Sequence, residues 1–382
     1  MLQADDLSKI KITNITSEVF EWPRPGLWNG SHFYGNASLH KVTVYTDQGI
    51  VGAGWNGGTA ATRPQRLMPA FVEYYRELCV GRSPIDTSVL VKDLWEKQIK
   101  ILGPAGLHTQ ALAAILIACW DIKGKALNQS VHQLLGGAQQ RVPVYIAGGY
   151  YAEGKGLAQL QDELRYNVEV LHARAVKMKI GDPKVGLAGD LARIAAAREA
   201  IGPDIKLMVD ANCACDRLTA LDFAHELPNY DVYWFEEPMP IYWFEDHRQL
   251  AAAAAPVKIA VGENYYTYAD FKNMLDHQGA SILNVDVAIC PGYDVARDVA
   301  LLAQDRGLTI APHGCQELQL PLVAGLPNGE FLEYYPTEVD PLRSEIFQSQ
   351  LLPDKDGYVD VPDRPGIGFD LNMELLERYR VM

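Results

Sequence analysis

Between residues 142 and 336, short apolar runs alternate with polar or amphipathic stretches along the chain. The runs read VPVYIAGG, RAVKMKIG, IKLMVDAN, VYWFEEP, VKIAVGEN, SILNVDVAI, LTIAPHG and EFLEYYP. Each has the length and the β-branched or aromatic content of a strand, and each is followed by a segment able to form a helix. Strand and helix in strict alternation imply parallel strands joined by right-handed crossovers. Eight such units make an α/β fold of the (β/α)8 TIM-barrel type. A doubly wound open sheet would need fewer strands and a glycine-rich phosphate turn, and no GxGxxG follows the first run.

The flanks follow other patterns. Ile10, Ile12, Val19, Phe20 and Trp22 belong to β-rich stretches, LHKVTVYTD alternates with period two, and Gly49, Gly52 and Gly54 punctuate a turn and the next strand. From Pro64 to about Asn128 the pattern is helical, with the Ala-rich QALAAILIACWDIKGKAL as its strongest segment. Residues 1–130 are therefore expected to form an α+β domain and residues 131–340 the barrel. The turn-rich tail, residues 341–382, should pack back on the first domain. Within that domain, WPRPGLWNGSHFYGN carries Arg24, Trp28, Asn29, His32 and Tyr34. A loop of this length is either held down by its own aromatics or serves as a lid supplying contacts to a substrate.

Composition narrows the partners. The 382 residues carry a formal net charge of −14, which argues against nucleic acid or an anionic membrane surface. It leaves room for a small anionic substrate, because a bound cation inverts the local field. The start, MLQADDLSKIK, has no apolar core of signal-peptide length, so the six cysteines are read as free thiols in a reducing compartment. The apolar run Ala111–Trp120 stops at Asp121 and is too short to span a bilayer. A cytoplasmic protein is expected.

The chemistry gathers where the apolar runs end. Lys177 and Lys179, Asp210, Glu236, Glu263, Asp286, His313 and Glu333 all fall there, and the carboxyl ends of barrel strands are where such folds place catalytic groups. Asp210, Glu236 and Glu263 come from consecutive strands and can converge. Three carboxylate oxygens leave half an octahedron open, which suits Mg²⁺. Zinc would want a histidine or thiol in the set; Cys213 and Cys215 read better as small buried residues, and Glu237 as a supporting group pointing the other way. Lys177 and Lys179 share one face of a strand. Their mutual repulsion, and a nearby cation, are expected to lower their pKa and free an amine as a base. Asp286 can orient His313, which would face Lys179 across the barrel mouth, and Glu333 can hydrogen-bond a substrate oxygen that gains charge. A cation and two opposed bases suit removal of a proton next to a carboxylate.

At this point the chain resembles the enolase superfamily, mandelate racemase subgroup, over nearly its whole length. The resemblance rests on TDQGIVGAGW, WDIKGKALNQSVHQLLGG, KMK, VDAN, FEEP, GEN, the Asp286–His313 pair and Glu333. It implies that the first domain caps the barrel, that each subunit holds one Mg²⁺, that the reaction passes through an enolate, and that the chain forms homo-oligomers. By position, Asp210, Glu236 and Glu263 match metal ligands, and Lys179 and His313 match the two acid/bases, with Asp286 as the partner of His313. Glu333 matches an acid that bonds the substrate carboxylate, and Lys177 and Asn212 match residues that contact substrate. Trp55, where relatives often have Glu, and Cys290-Pro291-Gly292, in place of a more usual Gly pair, depart from the pattern beside the site. Asn212 cannot act as a base.

Three outcomes share the first step. Dehydration of a sugar acid, an aldonate or aldarate, to a 2-keto-3-deoxy acid fits best, because the lid offers Arg24, Asn29, His32 and Tyr34 for hydroxyl groups. Racemisation or epimerisation of a 2-hydroxy acid by Lys179 and His313 is the alternative. Muconate cycloisomerases use a lysine where this chain has Asp286. A metal-dependent barrel hydrolase would show His-x-His in the first barrel strand, which VYIAGGYY lacks, and a non-catalytic barrel would have no reason to keep both bases.

Overall fold

A computed structural model describes residue 7 and residues 9–59 and 64–382. Most of the amino-terminal stretch read above for an export signal lies outside the described residues.

The chain opens with β1 (Ile12–Trp22), the short β2 (Leu27–Trp28), β3 (Ala37–Thr46) and β4 (Val51–Thr59), of which β1, β3 and β4 form one antiparallel sheet in that order. Helices α1 (Met68–Cys79), α2 (Thr87–Leu94) and α3 (Leu107–Leu127) follow. Helix α3 is buried nearly all round, because it lies between this sheet and the barrel. Gly52 and Gly54 on β4 make that approach possible: a Cβ there would sit 2.2 Å from Ala118 O and 2.0 Å from Ala114 O. On its other side, Trp120 Nε1 donates to Asp294 Oδ2 at 2.7 Å. Asp121 joins three parts of the chain, accepting from Ala53 N at 3.0 Å, Lys125 Nζ at 2.6 Å and Ile367 N at 3.1 Å.

The barrel strands are β5 (Arg141–Gly148), β7 (Ala175–Lys179), β8 (Lys206–Asp210), β9 (Val232–Glu236), β10 (Lys258–Val261), β11 (Ile282–Leu283), β12 (Thr309–Ile310) and β13 (Leu332–Tyr334). All pair in parallel, in the order β13-β5-β7-β8-β9-β10-β11-β12. The ring closes where Ile310 bridges Gly329, with Ile310 N donating to Asn328 O and Glu330 N to Ile310 O. Each of the eight apolar runs contains one of these strands. Between them run α4 (Leu157–Glu169), α5 (Gly186–Ile201), α6 (Arg217–Glu226), α7 (Phe244–Ala254), α8 (Tyr268–Asp276), α9 (Gly292–Asp305) and α10 (Gln316–Gly325). The short β6 (Tyr151–Ala152) pairs with β2 and so ties the amino-terminal loop to the barrel.

Inside the ring, Tyr145, Ala175, Met208, Trp234, Ala260, Ile282, Ala311 and Phe331 pack into one dry layer. The tail returns to both parts: β14 (Tyr358–Asp360) pairs antiparallel with β5, while Arg380 bridges Phe20 and Val381 N donates to Val19 O at 2.9 Å. The six cysteines are free, and five of them are buried. Among the described residues no helix is long and apolar enough to cross a membrane.

His40 links the sheet to the barrel through Asn56. Its Nε2 meets Ser17 Oγ at 2.8 Å and its Nδ1 meets Asn56 Oδ1 at 3.1 Å, while Asn56 Nδ2 donates to Ala288 O at 2.8 Å. Burial pushes this imidazole down to about 4, partly offset by the Asn56 contact. A depressed histidine pKa gives stability that is complete above the free value near 6.5 and is lost as pH falls towards 4. Urea unfolding followed from pH 7 to pH 4 should show this loss, up to about 3 kcal/mol from His40, and His40→Gln should flatten that part of the profile.

Candidate active site

Period-two alternation on the barrel strands builds the site in layers. Above the dry layer, two residues further along their strands, come Lys177 after Ala175, Glu236 after Trp234 and Glu333 after Phe331. Lys177, only 1% exposed, places Nζ 2.7 Å from Glu236 Oε1, 2.9 Å from Glu333 Oε1 and 3.6 Å from Asp210 Oδ2. One layer higher, Lys179 Nζ donates to Asp210 Oδ2 at 2.5 Å. Lys179, Asp210 and Glu236 are terminal strand residues, and Glu333 lies within β13. Glu263, Asp286 and His313 stand just beyond their strands, on the loops.

These pairings reverse the expected direction of the lysine pKa values. Burial lowers both, but Glu236 and Glu333 around Lys177, and Asp210 beside Lys179, outweigh it and hold both well above the usual lysine value. The repulsion between the two ammonium groups is a smaller effect than the carboxylates brought in by neighbouring strands. Asp210 is correspondingly held low: burial opposes this, but Lys179 and Lys177 prevail.

Asp210, Glu236 and Glu263 each present an oxygen within 4.8 Å of the others. The set fits a hard divalent cation on three further observations. All three donors are carboxylates. Glu263 Oε2 is buried with no hydrogen-bond partner. Burial and the crowding of Asp210, Glu263 and Glu333 push Glu236 up to about 8 even though Lys177 lowers it, so this corner is short of positive charge. Asn212 N donates to Asp210 Oδ1 at 2.8 Å, and its side-chain Nδ2 reaches Glu263 Oε1 at 3.4 Å. That reach depends on left-handed backbone at Asn212 (φ 45°) and Cys213 (φ 62°), which folds the loop after β8 back over the rim. Glu237 points away and is held by Asn264 Nδ2 at 2.8 and 3.0 Å.

On the opposite side, His313 Nδ1 meets Asp286 Oδ2 at 3.0 Å. Asp286 is itself fixed by Gln319 Nε2 and Ala288 N, both at 2.7 Å from Oδ1. Burial lowers the pKa of His313, yet Glu263, Glu333 and Asp286 together raise it well above the usual value. Its Nε2 faces Glu263 Oε2 at 3.6 Å and the Tyr335 hydroxyl at 3.4 Å. Glu333 Oε2 accepts from Gly314 N at 3.0 Å, and Lys177 and His313 overcome burial to bring its pKa down to about 2.

A cavity of about 220 Å³ lies between the barrel mouth and the first domain. Lys179, Asn212, Glu263, Asp286 and His313 line it from the barrel, and Arg24, His32 and Tyr34 from the lid loop. Lys177 lies beneath this lining, closed in by its carboxylates. Trp28 and Asn29, expected to face substrate, do not line it. Trp28 Nε1 donates to Asp182 Oδ2 at 2.8 Å and its ring stacks on Tyr151. Asn29 Oδ1 accepts from the backbone of Ser31 and His32 at 2.8 Å each, and its Nδ2 donates to Tyr34 OH at 2.9 Å. The loop is thus both a stapled turn and a lid: Trp28 and Asn29 hold it, and their neighbours face the cavity. Trp55 packs against Phe347 in the core and Cys290 is fully buried; the nearby Gly57, Gly58, Ala288 and Ile289 line the cavity instead. Tyr150, Tyr335, Asp340 and Arg343 also line it. Tyr335 was readable, since it shares the face of Glu333 in EFLEYYP; Arg343 comes from the tail, where no periodicity points to it.

The fold and site define a capped (β/α)8 barrel with a carboxylate trio and a histidine–aspartate pair at its rim. Residues 159–375 match the enolase C-terminal domain-like family, and residues 20–136 match the mandelate racemase/muconate lactonizing enzyme N-terminal domain. The chain belongs to this family of the enolase superfamily. It is 31% identical over 298 residues, 76% of its own length and 78% of the relative's, to an arabinonate dehydratase of Saccharolobus solfataricus. It is 30% identical over 356 residues, 89% of its length and 90% of the relative's, to a D-galactarolactone cycloisomerase of Agrobacterium fabrum. The crystal structure of L-talarate/galactarate dehydratase from Salmonella typhimurium LT2, liganded with Mg and L-lyxarohydroxamate, superposes with a TM-score of 0.89 at 25% identity, covering 100% of this chain and 95% of that one.

The lid staple gives a direct test. Trp28→Phe keeps a ring on Tyr151 but deletes the hydrogen bond to Asp182. A bond to a charged group contributes roughly 1.5–3 kcal/mol, so hydrogen exchange across residues 27–34 should accelerate by about ten- to a hundredfold, with the barrel strands unchanged.

Proposed function

We propose that this chain is a magnesium-dependent dehydratase of sugar acids, aldonates or aldarates. The observation that carries the reading is that Lys179 and His313 line the same cavity as Glu263 of the carboxylate trio, so an acid/base pair and a cation site address one small volume. The names of the relatives support the substrate class, and the magnesium in the superposed structure supports the ion. In this reading Asp210, Glu236 and Glu263 hold one Mg²⁺. A cation held there would supply the positive charge that stabilises negative charge on the substrate carboxylate.

The chain's own groups divide the work. Lys179 first gives up its own proton to solvent and then takes the proton from the carbon next to the carboxylate, leaving an enolate of the substrate. His313, kept charged by Asp286 and the nearby carboxylates, gives its Nε2 proton to the departing β-hydroxyl. The carbon–oxygen bond breaks with its electron pair on oxygen, water leaves, and the enol becomes the 2-keto-3-deoxy acid. Glu333 and Lys177 hold the floor of the site, and Asn212, Arg24, His32 and Tyr34 contact substrate. Trp28 and Asn29 act by holding the lid. Proton return to the other face by the same two groups would give racemisation or epimerisation, which the placement of two bases on one cavity also favours.

Proton NMR with Mg²⁺ in D₂O, on a panel of aldonates, aldarates and their lactones, separates these outcomes. Dehydration gives keto-acid signals with loss of the β-hydroxyl. Exchange of the α-hydrogen with appearance of an epimer and no loss of water would replace it with the racemase reading. Lys179→Ala and His313→Ala should each lower kcat by about 10²- to 10⁴-fold.

Metal binding can be checked separately. Glu263→Gln removes one of three charged ligands, and Mn²⁺ titration followed by electron paramagnetic resonance should show affinity falling by about a hundredfold or more. Glu237→Gln, outside the trio, should leave it within about threefold.

A further inference from the structure

A second and more open cavity, of about 610 Å³, lies on the far side of His32, Asn212 and Glu263, which line both spaces. Ligand sites usually measure about 300–1,000 Å³; the first cavity alone, at about 220 Å³, falls below that range. Tyr242 and Trp243, before α7, and Tyr266, after β10, give the second cavity an aromatic wall. Tyr242 and Trp243 are 54% and 44% exposed. Adjacent large rings left this open beside a cavity mark a binding surface.

The polar groups there suit hydroxyls. Asn212 lines this space with a side-chain amide. The Tyr266 hydroxyl accepts from Gln110 Nε2 at 2.9 Å and keeps its own proton to donate. Glu237 and Glu263 add carboxyl groups, and among the described residues no lysine or arginine lines this space. A second carboxylate would find no cation here, whereas Arg24, Lys179 and Arg343 line the first cavity. The occupant must be neutral, hydroxylated, and able to lay an apolar face on an aromatic ring.

We propose that this cavity is a subsite for a neutral sugar ring joined to the acid, so that the preferred substrates are glycosyl aldonates rather than bare aldonates or dicarboxylates. The proposal rests on the sugar-acid reading of the catalytic cavity. The ring is carried on an oxygen other than the one eliminated, so the reaction balance is unchanged.

The test compares gluconate with cellobionate, maltobionate and lactobionate on the magnesium-loaded full chain, by kcat/KM and α-hydrogen exchange. The neutral disaccharides cellobiose, maltose and lactose are followed in parallel by saturation-transfer NMR. At least one glycosyl acid should exceed gluconate by about tenfold in kcat/KM, and Trp243→Ala should remove that advantage and the disaccharide signal together. Turnover of gluconate with no glycosyl preference, or a preference that Trp243→Ala leaves intact, overturns the subsite and spares the reaction. No acid turned over, but a disaccharide bound in a Trp243-dependent way, overturns the reaction and supports the subsite. A second copy of the chain burying Trp243 in solution, detected by sedimentation and lost in Trp243→Ala, also overturns it.

Discussion

The constraint that organises this molecule is the burial of charge at one end of a closed barrel. Asp210, Glu236 and Glu333 are at most 1% exposed, directly above a layer of aromatic and aliphatic side chains. Unpaired carboxylates there would cost several kcal/mol each. Lys177 reaches all three, and Lys179 pairs with Asp210 as well. Asp210, Glu236, Glu263 and Glu333 still outnumber the two ammonium groups by two. A divalent cation among the trio would cancel that excess, and burial with the neighbouring carboxylates already pushes Glu236 up to about 8.

The same constraint explains how the lid relates to the base. Arg193 donates to Lys179 O and Gly149 O, both at 2.7 Å, fixing the ends of β7 and β5. Its guanidinium lies 3.9 Å from the centre of the Tyr151 ring, whose other contacts are the stacked Trp28 and a 2.6 Å hydrogen bond to Asp190. The lid loop and the ends of β5 and β7 therefore share one cationic and aromatic stack, which Lys179 joins through its backbone carbonyl. A loop that rested on the rim through backbone contacts alone would not hold Arg24, His32 and Tyr34 over the cavity with comparable definition.

What could be read in the sequence divides along physical lines. The eight strands and the rim groups Lys179, Asp210 and Glu236 were legible because a fully buried parallel strand writes its length and inward face into the chain with period two. Glu263, Asp286 and His313 sit on loops, yet they follow strand ends so closely that the strand predicts them. Trp28 and Asn29 turn away from the cavity because a loop side chain takes its direction from tertiary partners, here Asp182 and Tyr34, that no local pattern encodes. The direction of the lysine shifts has a related origin: KMK displays its like charges in sequence, while the carboxylates that outweigh them arrive from neighbouring strands. Arg343 reaches the cavity from a tail with no period at all, and Asp340 from the residue just before that tail.

Reaction type and substrate choice are consequently held by different parts of the chain. The rim groups are locked by each other's charge, so replacing one leaves a buried partner uncompensated, typically at 3–5 kcal/mol; that region tolerates little change. The surfaces beyond it carry no such penalty. Tyr242 and Trp243 are partly in solvent, and Arg24 and Tyr34 stand on a loop that Trp28 and Asn29 hold in place. The first cavity offers cations and the second only neutral and acidic groups, so the two ends of a long substrate are asked for opposite properties. In the proposed reading, proton abstraction beside a carboxylate stays fixed in the barrel while the loops decide what the rest of the substrate carries.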